Sequence, residues 1–243
     1  MLTEMPKIHY GVDTDQPKGV FYDRIVDSEH YTSHASAEAW ANYLRPFVKS
    51  TGLDQADLII EGGIGTNHLM AHVSRELFPQ AIYIGTDISE AFVDRFGRVR
   101  GRIDDPTLER VERANGPKFN PLEASVAANC LDANIINDIK RKTGSSFPIL
   151  VSYNALVALA DKKATPWERK HEDDRIALEH ALSTTPYQAQ LHVNGIDFAG
   201  FWSSESQWQG TIFTETFSRL EKAGKAMGWM TQQLPMGLLV TRK

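Results

Sequence analysis

The stretch DLIIEGGIGTN, residues 57–67, decides the fold because an apolar run ends on a carboxylate and opens at once into glycines. Residues 58–60 are apolar, Glu61 closes the run, and glycines stand at positions 62, 63 and 65. A short apolar run bounded by glycines is typical of a strand buried inside a parallel sheet. A simple turn needs one glycine. Three of them indicate that a ligand approaches the backbone closely, because a glycine has no side chain to keep it away.

The segment after the glycines has the strand–helix–strand order of a nucleotide-binding fold. NHLMAHVSRELF, residues 67–78, has the apolar spacing of a helix, and AIYIGTD, residues 81–87, is a second short apolar strand that ends on Asp87. Asp87 follows Gly65 by 22 residues. An acid at this kind of distance commonly accepts hydrogen bonds from both hydroxyls of a ribose. The spacing therefore predicts a nucleotide-like ligand at the carboxyl ends of two strands. The alternative is a tight turn in some other α/β protein, with Asp87 as a helix cap.

Strand and helix patterns alternate through the rest of the chain. Further strand patterns are ASVAANCLDA, FPILVSYNALVAL and YQAQLHVNGIDFAGFW, and the chain closes with the helix pattern TETFSRLEKAGKAM and the strand patterns GWMTQQLP and MGLLVTRK. This alternation predicts an α/β fold with one doubly wound, mostly parallel sheet and helices on both faces. We expect one structural domain, in which residues 1–52 form an N-terminal arm and helical lid and residues 53–243 form the Rossmann-like part.

The composition and charge of the chain narrow the class of protein. Its 243 residues are 42% hydrophobic, include one cysteine and carry a formal net charge of −5 without a long basic run. A single cysteine excludes an intrachain disulfide, and the acidic balance argues against a broad nucleic-acid surface. The N-terminus lacks the basic start and apolar core of a signal peptide, and no apolar window reaches about 18 residues. We expect a soluble, cytoplasmic protein without a membrane or nucleic-acid partner.

IIEGGIGTN, residues 59–67, resembles motif I of the class I S-adenosylmethionine-dependent methyltransferases, in which an acid precedes glycines at alternate positions. Glu61, Gly63 and Gly65 match the motif, and Asn67 stands at the third glycine position, a departure that the family often tolerates. YIGTDIS, NCLDAN and ILVSYNAL resemble the segments that follow in this family, and the final GWMTQQLPMGLLVTRK resembles its closing antiparallel hairpin. The resemblance implies a Rossmann-like methyltransferase fold.

The same resemblance implies S-adenosyl-L-methionine as a co-substrate and assigns its contacts. Glu61 would hold the methionine end, directly or through water, Asp87 would bind the ribose hydroxyls, and Asp132 would face the adenine amino group. The full set of implied cofactor-binding residues is Glu61, Gly62, Gly63, Gly65, Asp87, Ile88, Asp132 and Ala133.

Three further residues are candidates for catalysis. Tyr31 lies in an N-terminal segment whose aromatic faces suit a sulfonium ion through cation–π attraction. Asn154 follows the fourth predicted strand, where the family's reactive centre lies, and Tyr187 is a polar group that could orient a neutral amine. The alternatives are an aromatic residue packed on the sheet for Tyr31 and a helix cap for Asn154. The Asp/Asn-Pro-Pro-Tyr pattern of methyltransferases that act on amide or base nitrogens is missing here.

Methyl transfer to a small molecule is the default reaction. The amino group of the co-substrate could instead attack its own γ-carbon and release methylthioadenosine, as in azetidine-2-carboxylate synthases, whose fold resembles that of methyltransferases. A non-catalytic S-adenosylmethionine-binding module and a nicotinamide oxidoreductase remain alternatives. The histidines and the cysteine show no pairing with metal-ligand spacing, so no metal is expected. The expected partner is a small-molecule substrate, and a homodimer is compatible with the sequence.

Overall fold

The computed structural model of the chain describes residues 37–64, 69–89, 91–93, 123–153, 185–193, 217–234 and 237–242. Its helices are α1 (Ala37–Ser50), α2 (Leu69–Leu77), α3 (Ala133–Thr143) and α4 (217–226), and residues 91–93 are also helical. Its strands are β1 (Leu58–Gly62), β2 (Ile82–Asp87), β3 (Glu123–Ala127), β4 (Pro148–Tyr153), β5 (Ala189–Val193), β6 (Met230–Leu234) and β7 (Gly237–Thr241). None of the helices in these ranges is long and apolar enough to cross a membrane.

The described strands form one seven-stranded sheet in the order β3-β2-β1-β4-β5-β7-β6. Strands β1 to β5 run parallel to one another, and β7 lies between β5 and β6 and is antiparallel to both. At the centre, Leu58 of β1 pairs with Ile82 of β2 and with Pro148 of β4. The predicted mostly parallel sheet is therefore confirmed, and so is the predicted antiparallel hairpin after it.

Two clusters of buried apolar side chains cover the two faces of the sheet, because successive residues of a strand point to opposite faces. On one face, α1 and α2 pack over Ile59 and Val151. On the other face, α3 packs through Ile136 over Ile60 and Leu150. All five residues of β1 are buried, as expected for a central strand with helices on both sides.

Helix α1 lies in the region that the sequence predicts as a lid, and it packs on the sheet. Trp40 and Leu44 are fully buried in the cluster that contains Ile59. The Trp40 ring meets the ring of Tyr153 edge to face, with centroids 5.6 Å apart. This helix is therefore part of a layer of the sheet domain. Residues 1–36 lie outside the described part of the chain, so the lid and the boundary at residue 52 stay predictions.

The Asp57 carboxylate connects the start of β1 to the start of β4. It accepts hydrogen bonds from the Ser145 hydroxyl, from the Ser146 amide and hydroxyl at 2.8 and 2.9 Å, and from the Phe147 amide at 3.0 Å. Burial alone would raise the pKa of Asp57, but these hydrogen bonds outweigh it and lower the pKa to about 2. Because the three donor residues stand directly before β4, the carboxylate fixes the position of β4 beside β1.

We expect Asp57→Ala to lower the free energy of unfolding by about 2–3 kcal/mol, because several hydrogen bonds to a charged group are lost together. The folded-state pKa is lowered, so this contribution is complete above the unfolded value of 3.8 and is lost as the pH falls toward 2. Urea unfolding of both proteins at about pH 7 and about pH 3 measures the difference.

The matched control is Asp54→Ala, which removes an exposed carboxylate from the short turn Leu53–Gln55 just before β1. We expect that variant to lie within about 0.5 kcal/mol of the wild-type protein. If Asp57→Ala lowers the free energy of unfolding equally at both pH values, the ionised carboxylate of Asp57 does not stabilise the fold as described.

Candidate functional site

The turn after β1 is tied to the end of β2. Gly63 has φ of 73°, a left-handed conformation that favours glycine. Its amide and that of Ile64 both donate to the Thr86 carbonyl, at 2.9 and 3.2 Å. The Thr86 hydroxyl in turn donates to the Glu61 carbonyl at 2.7 Å. The predicted glycine turn is therefore present after the first strand, and Gly65 lies outside the described residues.

The Glu61 side chain is buried next to that turn. Only 2% of its surface is exposed, and the Tyr83 hydroxyl donates a hydrogen bond to its carboxyl group. Burial is the main cause that raises the pKa of Glu61 to about 8; the hydrogen bond from Tyr83 opposes this rise, and the negative charge of Asp87 adds to it. Burial therefore favours the protonated form of this carboxyl group. Sequence reasoning missed Tyr83, whose signal is its position in the strand next to β1.

Asp87 is the last residue of β2 and lies close enough to Glu61 for their charges to interact. Its carboxylate accepts a hydrogen bond from the Ser89 amide at 2.9 Å, and its carbonyl accepts one from the Ala128 amide at 2.9 Å. The Ser89 hydroxyl accepts a hydrogen bond from the Phe92 amide at 3.3 Å and so caps the helical residues 91–93. Ile88, between Asp87 and Ser89 in the chain, is half-buried. The structure thus brings the two predicted acids together at neighbouring strand ends.

Asp132 and Ala133 begin α3, in the connection that follows β3. The Asp132 carboxylate caps this helix by accepting hydrogen bonds from the Asn134 amide at 2.9 Å and the Ile135 amide at 3.4 Å. Both bonds go to the same carboxylate oxygen. The cap was not part of the sequence interpretation, although an aspartate before a helix is a strong signal for one. The predicted contact with an adenine stays a prediction.

Tyr187 lies in the core. It is fully buried, and its hydroxyl donates to the Cys130 carbonyl at 2.7 Å. Burial raises the pKa of this hydroxyl well above its usual value of 10. This geometry gives Tyr187 a structural role, and its catalytic role stays a prediction. The other two catalytic candidates, Tyr31 and Asn154, lie outside the described part of the chain.

A chain of buried polar side chains joins the ends of β4 and β5. Ser152 and His192 are register partners, and the Ser152 hydroxyl lies 2.7 Å from the His192 Nδ1. The His192 Nε2 lies 3.1 Å from the Gln190 amide oxygen, so the histidine ring connects the Ser152 hydroxyl to the Gln190 side chain. Burial lowers the pKa of His192 to about 3. Sequence reasoning missed this contact, because Ser152 and His192 belong to different strands and meet only in the register of the finished sheet.

Within the described ranges, no group of three or more histidine, cysteine, aspartate and glutamate side chains could hold a metal ion. At the ends of β1 and β2 lie two carboxyl groups, a tyrosine hydroxyl and the backbone of the half-buried Gly63. Both carboxyl groups are buried, that of Asp87 with 7% of its surface exposed and that of Glu61 with 2%. These groups suit a ligand that carries hydroxyl groups and a cation.

Neither a protein-family model nor a curated protein matches the sequence. Solved structures of similar fold include an O-methyltransferase family protein from Burkholderia thailandensis, with 11% identity, a TM-score of 0.42, and coverage of 85% of this chain and 59% of that one. Human N-acetylserotonin methyltransferase has 12% identity, a TM-score of 0.48, and coverage of 92% and 56%. An O-methyltransferase from Bacillus cereus has 13% identity, a TM-score of 0.44, and coverage of 99% and 94%.

The chain thus spans 59% and 56% of the lengths of the first two of these proteins. At this identity the likeness concerns the fold alone. The strand order, with an antiparallel β7 between β5 and β6, agrees with the mostly parallel sheet and closing antiparallel hairpin that the sequence predicts. The predicted Rossmann-like methyltransferase fold is therefore confirmed.

We expect Gly85→Ala to lower the free energy of unfolding by about 1–3 kcal/mol, as overpacking of a core does. A Cβ atom at residue 85 would lie 2.6 Å from the Ile64 Cγ2, directly after the Gly63 turn. Removing that methyl group with Ile64→Ala should relieve the clash. In urea unfolding, the double variant should therefore be more stable than the sum of the two single effects predicts. Purely additive effects would contradict this contact.

We expect His192→Asn to reduce the loss of stability in weak acid. The folded-state pKa of His192 is lowered to about 3 from 6.5, so the unfolded chain binds a proton that the folded protein does not. The stability of the wild-type protein should fall by at most about 1.4 kcal/mol per pH unit through this group below pH 6.5. Urea unfolding of both proteins at about pH 7 and about pH 5 tests this.

Ser152→Ala is the matched control, because it breaks the same polar chain and leaves the histidine in place. It should keep the acid-dependent loss of stability. The pKa of the buried His72 is also lowered, to about 4, but His72 is present in all three proteins and cancels in the comparison. Identical pH dependence in the wild-type protein and His192→Asn would show that His192 does not titrate as described.

Proposed function

We propose that the protein is an S-adenosylmethionine-dependent transferase that acts on a small molecule, with methyl transfer as its reaction. The observation that carries this proposal is the arrangement at the ends of β1 and β2. A left-handed glycine turn, a buried Glu61 and an Asp87 at the adjacent strand end stand together in a mostly parallel sheet that closes with an antiparallel hairpin. In open α/β sheets, ligands bind beyond the carboxyl ends of the strands, where these groups lie.

The co-substrate fits the chemistry of these residues. Asp87 would accept hydrogen bonds from the two ribose hydroxyls, because a carboxylate has two acceptor oxygens. Glu61 would receive the ammonium group of the methionine end, since a buried carboxyl group needs a cationic partner to ionise. Ile88, Asp132 and Ala133 would lie beside the adenine. The bound co-substrate supplies a sulfonium-activated methyl group, so the protein has only to hold it in line with an acceptor.

The same co-substrate could react in a second way, in which its amino group attacks the γ-carbon and methylthioadenosine is released. The product of this reaction differs from that of methyl transfer. Mass spectrometry of the purified protein incubated with S-adenosylmethionine alone separates the two reactions. We expect tight binding and an intact co-substrate when no acceptor is present. An amount of methylthioadenosine above the background breakdown would show that the reaction is the cyclisation and not methyl transfer. If S-adenosylmethionine does not bind, the proposal is rejected.

We expect Asp87→Ala to weaken S-adenosylmethionine binding about 10- to 100-fold, because two hydrogen bonds to a charged acceptor are lost. Isothermal titration calorimetry measures the change in Kd. Asp54→Ala removes an exposed carboxylate from the turn before β1, at the end of the strand opposite to the glycine turn, and should leave Kd unchanged. Equal affinities of the wild-type protein and Asp87→Ala would show that the ribose is not held at this strand end.

A further inference from the structure

The Glu61 carboxyl group is a buried acid with an unusual set of neighbours. It points to the same face of the sheet as Ile59, two residues earlier, where α1 and α2 cover the strands. On β2 it faces the Tyr83 hydroxyl and the charge of Asp87, and on β4 its register partner is the apolar Val151. None of the described groups that shift its pKa is a cation.

The helices over this face do carry charged and titratable side chains, but none of these affects the Glu61 carboxyl group. They are Glu38, Tyr43, Arg45, Lys49, His72, Arg75 and Glu76. The described surroundings of Glu61 therefore hold one hydrogen-bond donor and one like charge. An ionised carboxylate in such a place is costly, because its burial removes water and nothing described here replaces the water with a positive charge.

We infer that Glu61 is a neutral acid in the free protein and releases its proton to the solvent when the ammonium group of the ligand docks beside it. The O–H bond of the carboxyl group breaks, water or buffer takes the proton, and the carboxylate pairs with the ammonium group. This inference rests on the proposed function, because the methionine end of the co-substrate supplies the cation. The site thus carries no unpaired buried charge when it is empty.

The pH dependence of binding follows from this exchange. The pKa of Glu61 in the free protein is about 8, so below that pH a proton must leave for each cation bound. Affinity for a ligand with an ammonium group should therefore fall about tenfold for each pH unit below that value, until the pKa of the bound state is reached. A nucleoside without an amino-acid part should bind without releasing a proton.

Isothermal titration calorimetry with S-adenosylhomocysteine tests the inference, because this ligand has the ammonium group and no methyl group to transfer. The titration is run at about pH 6.5, where an α-amino group is still protonated, in phosphate and in imidazole buffer. These buffers differ in their heat of ionisation, so the difference in binding heat counts the protons released. We expect about one proton per ligand bound for the wild-type protein. Methylthioadenosine, the matched ligand without the amino acid, should release none.

Two variants separate this role from a merely structural one. Glu61→Gln should release no proton and should raise Kd for S-adenosylhomocysteine about 10- to 100-fold. Tyr83→Phe removes the hydrogen bond that favours the carboxylate, so the pH at which affinity stops rising should move upward. If Glu61→Gln does not fold, the pH dependence of affinity in Tyr83→Phe still tests the inference.

The possible results are distinct. Tight binding with the same heat in both buffers would overturn the inference and leave the proposed function standing. An unchanged pH profile in Tyr83→Phe would also overturn it. If neither S-adenosylhomocysteine nor S-adenosylmethionine binds, the proposed function fails and the inference fails with it.

Discussion

The Thr86 peptide is the point on which the candidate site depends. Its carbonyl receives the amides of Gly63 and Ile64, and its hydroxyl donates to the Glu61 carbonyl, so the end of β1 and the turn after it cannot move separately from β2. This places the carboxyl group of Glu61 under the helices and beside Asp87 on the neighbouring strand. These hydrogen bonds satisfy the backbone amides of the turn and fix its position relative to β2.

Much of the fold could be predicted from the sequence because its signals are local. A continuous apolar run between breakers identified β1, β2 and β4, and the alternation of strands with helices implied parallel pairing. The Gly63 turn and the Ser89 cap are set by residues within a few positions of themselves. The position of Asp87 followed from its place at the end of the second strand.

The partners of the buried polar groups could not be predicted, because they come from different strands. Tyr83 reaches Glu61, and Ser152 reaches His192, only in the register that the finished sheet adopts. A one-residue change in register would turn either side chain to the opposite face. The partner of Tyr187 could not be predicted either, because its hydroxyl contacts the carbonyl of Cys130, which lies 57 residues earlier in the chain. A tyrosine in a core and a tyrosine in an active site have the same sequence signal.

The place of β7 in the sheet affects how the protein is made. Gly237–Thr241 lies between β5 and β6, although β6 precedes it in the chain. While the chain emerges from the ribosome, β5 therefore has an unprotected edge, and β6 has no neighbour to pair with until β7 follows. An unprotected edge of a buried strand is a template for pairing with other chains. A nascent chain stalled before Gly237 would thus expose an inner strand, and chaperones that shield such edges would matter most in this interval.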